Sequence, residues 1–415
     1  MKRLTISTVA LMAILGSLSS VNAAPSTFNI ISNIKFSGEI RPRYEYANKV
    51  DGAEAANSFT ARTRFAIEGT LLGIDGLSTK IGLTSVNNFG YENYNDGSAT
   101  GNTKYEKIVD AQQAMVSEAY LTYTITDTTL LAGRSHINLD DQRFIGTVGW
   151  RQMERAYDTL TVVNKSVKGL TLLGSYIYGY QGVNSNPTTE TTSVLLNLNY
   201  KLNEMVVLTG FSYLLADVHD TYGLRVTGKA PVNDIKLNYA VSYAQQSKAS
   251  IDFRGGANAE IDASYIDVAL SANINGVIAG VEYEKLSKAN GSSTKGFTTP
   301  LSTLHKFQGF ADEFLAQTGG SNNKGLRDMS IKTGYVTKST GKALVIYHKF
   351  FAESGTGIND NKDLGSEIDA LYTNKISGLK GVSGLLKMGY YMAGDTGLGH
   401  DKDKIVAWAQ IDYKF

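Results

Sequence analysis

Cysteine is absent from the 415-residue chain, and only five prolines and two tryptophans occur. Without cysteine there is neither a disulfide framework nor a thiolate metal site. The histidines, His136, His219, His305, His348 and His400, are scattered and form no HxxxH-type ligand spacing, so neither a metal nor another cofactor is expected. Long apolar runs are missing too. The one candidate, residues 9–18, is shorter than the roughly 20 residues a membrane-spanning helix needs. It follows Lys2 and Arg3 and precedes Val21-Asn22-Ala23, which is the order of a cleaved export signal. Residues 1–23 are therefore read as a signal peptide and 24–415 as one domain. Charge of one sign is also lacking: 40 Lys and Arg face 39 Asp and Glu. Such a balance gives no reason to expect nucleic acid as a partner.

Glycine (42) and tyrosine (24) are plentiful, and the apolar residues recur with period two. The last twelve residues set Ile405, Ala407, Ala409, Ile411, Tyr413 and Phe415 on one face and Lys404, Gln410, Asp412 and Lys414 on the other. Near 34–46, Glu39, Arg41, Arg43 and Glu45 alternate with Ile40, Pro42, Tyr44 and Tyr46. Near 59–71, Arg62, Arg64 and Glu68 alternate with Thr63, Phe65 and Ile67. A charge at every second residue cannot face lipid, where each would cost about 2–4 kcal/mol at the midplane. These charges must face water inside a closed wall. Segments of about ten residues recur to the end of the chain, with tight turns and long polar connections in alternation. The expected fold is all-β: a transmembrane antiparallel barrel of about 18 strands, or 16 if the weakest segments, 157–164 and 205–215, are not strands. A barrel of this size encloses water.

The arginines cluster early. Arg41, Arg43, Arg62 and Arg64 come from adjacent strands and should form a ladder on one wall, beside Glu39, Glu45 and Glu68. One reading is a track for anionic groups, with Arg134 and His136 extending it; the other is mutual ion pairing that neutralises the wall. The stretch GRSHINLDDQRFIGTVGWRQMERAYD, residues 133–158, is the densest in charge and aromatics. Its loop, 138–155, is placed to fold inward. Asp140, Asp141, Arg143 and Arg151 would set charges across the lumen, and Phe144 and Trp150 would anchor the fold. An enzyme is not expected, because Ser135 and His136 are strand neighbours that point to opposite faces. A second inward candidate lies within 286–326, where Phe307, Phe310, Phe314 and Leu315 recur at helical spacing. The acidic tips near 359–363 and 395–403 are read as solvated loops.

GRSHINLDDQRFIGTVGWRQ, LHKFQGFADEFL (residues 304–315) and, more loosely, YHKFFAESG with LGSEIDA resemble the alginate-export-type porins of bacterial outer membranes. The resemblance implies an 18-strand barrel with an arginine-lined pore. Because glutamates stand beside the arginines here, the function expected is a passive water-filled channel for small hydrophilic solutes, anionic ones included. Dedicated export or uptake of an anionic polysaccharide such as alginate is the second reading. The location implied is the outer membrane of a Gram-negative bacterium. The partners implied are its lipid and lipopolysaccharide, small solutes, and the barrel assembly machinery acting on the terminal strand that ends at Phe415. The sequence leaves monomer and homotrimer both open.

Overall fold

The computed structural model describes residues 30–415 except 185–186, 234, 257, 294, 316–323, 357–360 and 395–399. The expected signal peptide and much of the two acidic tips thus lie outside the described residues. Eighteen strands follow in chain order. They are β1 (Ile31–Lys49), β2 (Ala56–Leu71), β3 (Leu77–Asn87), β4 (Gln113–Ile125), β5 (Thr128–Ser135) and β6 (Ala156–Asn164). Next come β7 (Leu170–Gln181), β8 (Thr189–Lys201), β9 (Val207–Leu215), β10 (His219–Val232), β11 (Ile235–Ser247) and β12 (Asp262–Ile274). The last are β13 (Val277–Leu286), β14 (Leu326–Thr337), β15 (Gly341–Thr356), β16 (Asn361–Lys375), β17 (Val382–Ala393) and β18 (Lys404–Lys414). Each pairs antiparallel with its chain neighbour, and β18 pairs with β1 from Glu39 opposite Lys414 to Lys49 opposite Lys404. The sheet is closed and has no free edge. Both weakly alternating segments are strands, β6 and β9, so the count is 18 and not 16.

The pleat sorts the side chains. Ile40, Tyr44, Phe59, Ile81, Leu196, Leu224, Leu270, Ile331 and Leu386 are large, apolar and exposed. In water this would be an aggregating surface, but against lipid tails it is the compatible one. The alternate residues, such as Glu39, Arg43, Glu45 and Arg62, point inward and are buried.

Connections after even strands are tight turns. Between β12 and β13 only Asn275 and Gly276 intervene, with φ of 50° and 93°. Two consecutive positive φ values are what a two-residue hairpin turn requires, and Asn-Gly is the pair that adopts them at least cost. Connections after odd strands include the long ones, 88–112, 136–155 and 287–325. The apolar core is made by these loops and lies inside the barrel. One cluster packs Ile137, Ile145 and Leu301 against Tyr157, Leu195, Phe211, Tyr213 and Tyr265 of the wall. A second packs Tyr94, Ile108, Ala311 and Phe314 against Ala47, Phe350, Tyr391 and Trp408.

Candidate functional site: a constriction built by two inner loops

The connection 136–155 crosses the lumen and is held on two walls. At one end Asp141 pairs with Arg225 of β10 at 2.7 Å. Arg143 pairs with Glu284 of β13 and donates to Thr299 at 3.0 Å. Asp140 accepts from Asn197 of β8 at 3.0 Å, and burial pushes its carboxyl above the usual range. Phe144 sits among Phe211, Tyr213, Tyr265 and Phe297, with ring centroids 4.9–6.3 Å away. At the other end the loop lies on β1, β2 and β18. The Gly149 carbonyl accepts from Arg41 at 3.1 Å, that of Trp150 from Arg43 at 2.5 Å, and that of Arg151 from Arg62 at 3.4 Å. Gln152 returns the contact by donating to the Arg41 and Thr60 carbonyls and to the Thr60 hydroxyl. The path includes left-handed residues at Asp140, Gln142 and Val148, φ 52°, 70° and 57°. For β-branched Val148 such a backbone is strained and persists only because its surroundings fix it.

The arginine ladder is present, and every member has an acidic or amide partner. Arg41 pairs with Glu39 and Asp412 at 2.9 and 2.6 Å. Arg43 contacts Gln410 and pairs with Asp110 at 3.4 Å. Arg62 pairs with Glu39 and Glu154 at 2.5 and 3.2 Å, and Arg64 with Glu154 at 3.0 Å. Arg43 and Arg62 are each 1% exposed, because the loop lies over them. The expectation of a water-lined arginine track therefore does not describe these two; they clamp a loop instead. Glu45 holds Arg151 at 2.9 Å, and Arg151 also reaches Asp312 at 3.1 Å. Glu68 stands apart from the ladder, half-exposed and paired with Lys35 at 3.3 Å. Arg134, on β5, is engaged by Asp158 at 2.7 Å. His136 lies one residue past β5 and faces Glu154 at 3.6 Å.

The second inner loop meets the first. Thr303 donates through its N–H to the Gln142 carbonyl at 3.0 Å, Lys306 to the Asp141 carbonyl at 2.7 Å, and the Gly146 N–H to Leu301 at 2.8 Å. His305 stacks on Trp150, 4.5 Å between centroids at 13°, with Trp408 edge-on. Burial drives His305 down to about 3, so it is neutral near pH 7. Its Nδ1–H then donates to Asp312 at 2.7 Å, and Nε2 accepts from Lys387 at 2.6 Å. Burial pushes Asp312 up, but His305 and Arg151 outweigh it and hold the carboxyl below its usual range. The tip docks through its backbone: the Ala311 N–H donates to Glu367 at 2.6 Å and the Phe310 N–H to Asp369 at 3.1 Å. A helix expected from the spacing of Phe307, Phe310 and Phe314 does not form beyond one turn, Leu304–Lys306. Positive φ at Gln308, Gly309 and Asp312, 60°, 86° and 57°, breaks it.

Beside the loops lies an opening where acids outnumber bases. A cavity of about 290 Å³ is bordered by Asp141, Asp267, Glu282, Glu284 and Asp328, with Arg225, Lys306, Lys332 and His348. Sequence reasoning passed over this wall, although Glu282 and Glu284, or Glu367 and Asp369, alternate in mid-strand just as Arg41 and Arg43 do. The same lipid-cost argument would have placed them inside.

A closed 18-strand barrel with an apolar exterior, a charged interior and loops folded into its lumen is an outer-membrane channel of the porin class, passive and open to small solutes. The family model for the Campylobacter major outer membrane protein matches residues 1–218, and the chain belongs to that family. Solved barrels share the fold at low identity. Acinetobacter baumannii OccAB1 has a TM-score of 0.71 at 13% identity, over 93% of this chain and 98% of that one. Pseudomonas aeruginosa OpdO gives 0.71 at 12%, over 93% and 98%. Pseudomonas aeruginosa OccK8 (OprE) gives 0.70 at 13%, over 93% and 99%. No curated protein matches the chain. The resemblance to alginate-export-type porins is corrected accordingly: an outer-membrane porin is supported, an alginate export domain is not.

Proposed function

We propose that this channel passes small hydrophilic solutes by diffusion and favours those that carry a cationic group. The observation that carries the reading is the division of charge across the lumen. The arginines of the β1–β2 wall are consumed in ion pairs and in holding the loop 136–155. The opposite wall borders the open cavity with five acids, Asp141, Asp267, Glu282, Glu284 and Asp328, against Arg225, Lys306, Lys332 and His348. Acids are in excess even though Arg225 meets Asp141 and Asp267, Arg143 meets Glu284 and His348 meets Asp328. A ring of acids at a narrow point selects cations, because the low-dielectric wall weakens screening there. Arg43 and Arg62, covered by the loop 136–155, add no cationic surface to that cavity, which weighs against an anionic polysaccharide as the cargo. The test is the reversal potential of single channels in a KCl gradient. A potassium-selective sign is expected; a chloride-selective one removes the proposal and restores the arginine track.

A further inference from the structure

Below the acidic aperture the charge of the lumen changes sign. On β10 and β11 the lumen-facing positions continue from Arg225 to Lys229, which lies opposite Asn238, and to Lys236, which lies opposite Asn273 of β12. Lys332 and Lys342 occupy the inward positions of β14 and β15, and Lys338 stands in the turn between them. A cavity of about 820 Å³ at this end is lined by Lys229, Lys236, Lys338, Asn238 and Asn273. Glu204 is the carboxylate in its lining, and it is held by Lys201 at 2.5 Å. Lys332 is 3.9 Å from Glu282. Lys229, Lys236, Lys338 and Lys342 form no ion pair among the described residues, of which Asp234 is not one.

Short turns mark the periplasmic end of an outer-membrane barrel, and we infer that this mouth of the lumen is a binding site for multivalent phosphate anions. Single lysine–anion contacts in a hydrated vestibule are weak because solvent screens them, so a monovalent anion does not stay. An anion with several charges and many acceptor oxygens contacts several ammonium groups at once, and the asparagine amides add neutral donors. The site thereby differs from the aperture above it, which repels the same ligand. An anion entering from the periplasm is captured and then stopped by Asp267, Glu282 and Asp328, so it plugs the channel; one arriving from outside meets the acids first.

The inference rests on the diffusion-channel reading, and its test is separate from the reversal potential. Single channels of the whole barrel are recorded in planar bilayers with sodium tripolyphosphate added to one compartment at a time. Orientation is read from S339C in the β14–β15 turn, the sole thiol of the chain, using a maleimide-polyethylene glycol too large for the lumen. Current block is expected from the periplasmic side only. The K229Q/K236Q/K338Q/K342Q variant should weaken that block at least about tenfold, while the corresponding four Lys→Arg substitutions retain it. Heat-dependent migration in detergent gels verifies that both variants are folded barrels. Absence of block, equal block from both sides, or block that survives the Gln variant overturns the inference, whatever the reversal potential in KCl.

Discussion

Arg43 donates to Gln410 from Nε and Nη2, at 2.8 and 2.6 Å, and to the Trp150 carbonyl at 2.5 Å, while its plane lies 4.2 Å from the Trp150 ring. One side chain thus joins β1, β18 and the inner loop. R43Q removes those contacts and leaves Asp110 with a buried charge. Breaking a buried pair in this way costs about 3–5 kcal/mol, so the denaturant midpoint of the refolded barrel should fall and its single-channel current should become noisier. A second residue-scale test is Gly309. A Cβ there would run into the Glu367 carboxylate, and φ is already +86°. G309A should therefore lift the loop tip and raise conductance with little effect on barrel stability. Neither consequence was legible in the sequence. The charged positions of β1 and β2 and their inward face were, because period two and the cost of charge in lipid leave no alternative. Their partners were not, since Asp110, Asp412 and Gln410 are brought to Arg41 and Arg43 only by folding of a distant loop and closure of the barrel.

Among the elements, strands were easier to read than loops. Alternation and lipid exclusion are local and repeat eighteen times, whereas the path of a loop depends on what it meets. The density of charge in 138–155 raised an inward fold as one expectation but named none of the partners, Arg225, Glu284 and Glu45, that Asp141, Arg143 and Arg151 meet; helical spacing in the second loop misled, because docking of its backbone on Glu367 and Asp369 takes precedence. The junction of the two loops should be acid-sensitive. His305 is held at about 3 against an ordinary 6.5 by burial. A released loop takes up a proton below about 6.5 that the docked loop refuses until about 3, so the junction is fully stable above 6.5 and weakens as pH falls through that window. Conductance fluctuations, or proteolysis of the 287–325 connection, should increase steadily from pH 7 to pH 4. In H305Q, which keeps a donor and an acceptor but does not titrate there, the dependence should flatten.

For the whole molecule, the proposed selectivity turns on the unequal charge of two walls. Replacing Asp267, Glu282 and Asp328 by Asn, Gln and Asn should shift the reversal potential toward chloride while leaving the strands intact, since these groups border the cavity. An unchanged potential would show that selectivity is set elsewhere. The fold also carries a consequence for the order in which the molecule is made. The strands that seal the barrel are its first and last, and Gln152 lies across the carbonyls of Arg41 and Thr60 while Arg41 and Arg43 grip Asp412 and Gln410 across that seal. The residues that fasten the joint are the residues that hold the loop. A chain still open between β1 and β18 lacks Asp412 and Gln410 beside Arg41 and Arg43, and so lacks part of the support on which residues 149–150 rest. Seating the loop and fastening the seam draw on the same side chains, so a substitution at Arg41 or Arg43 should loosen both together.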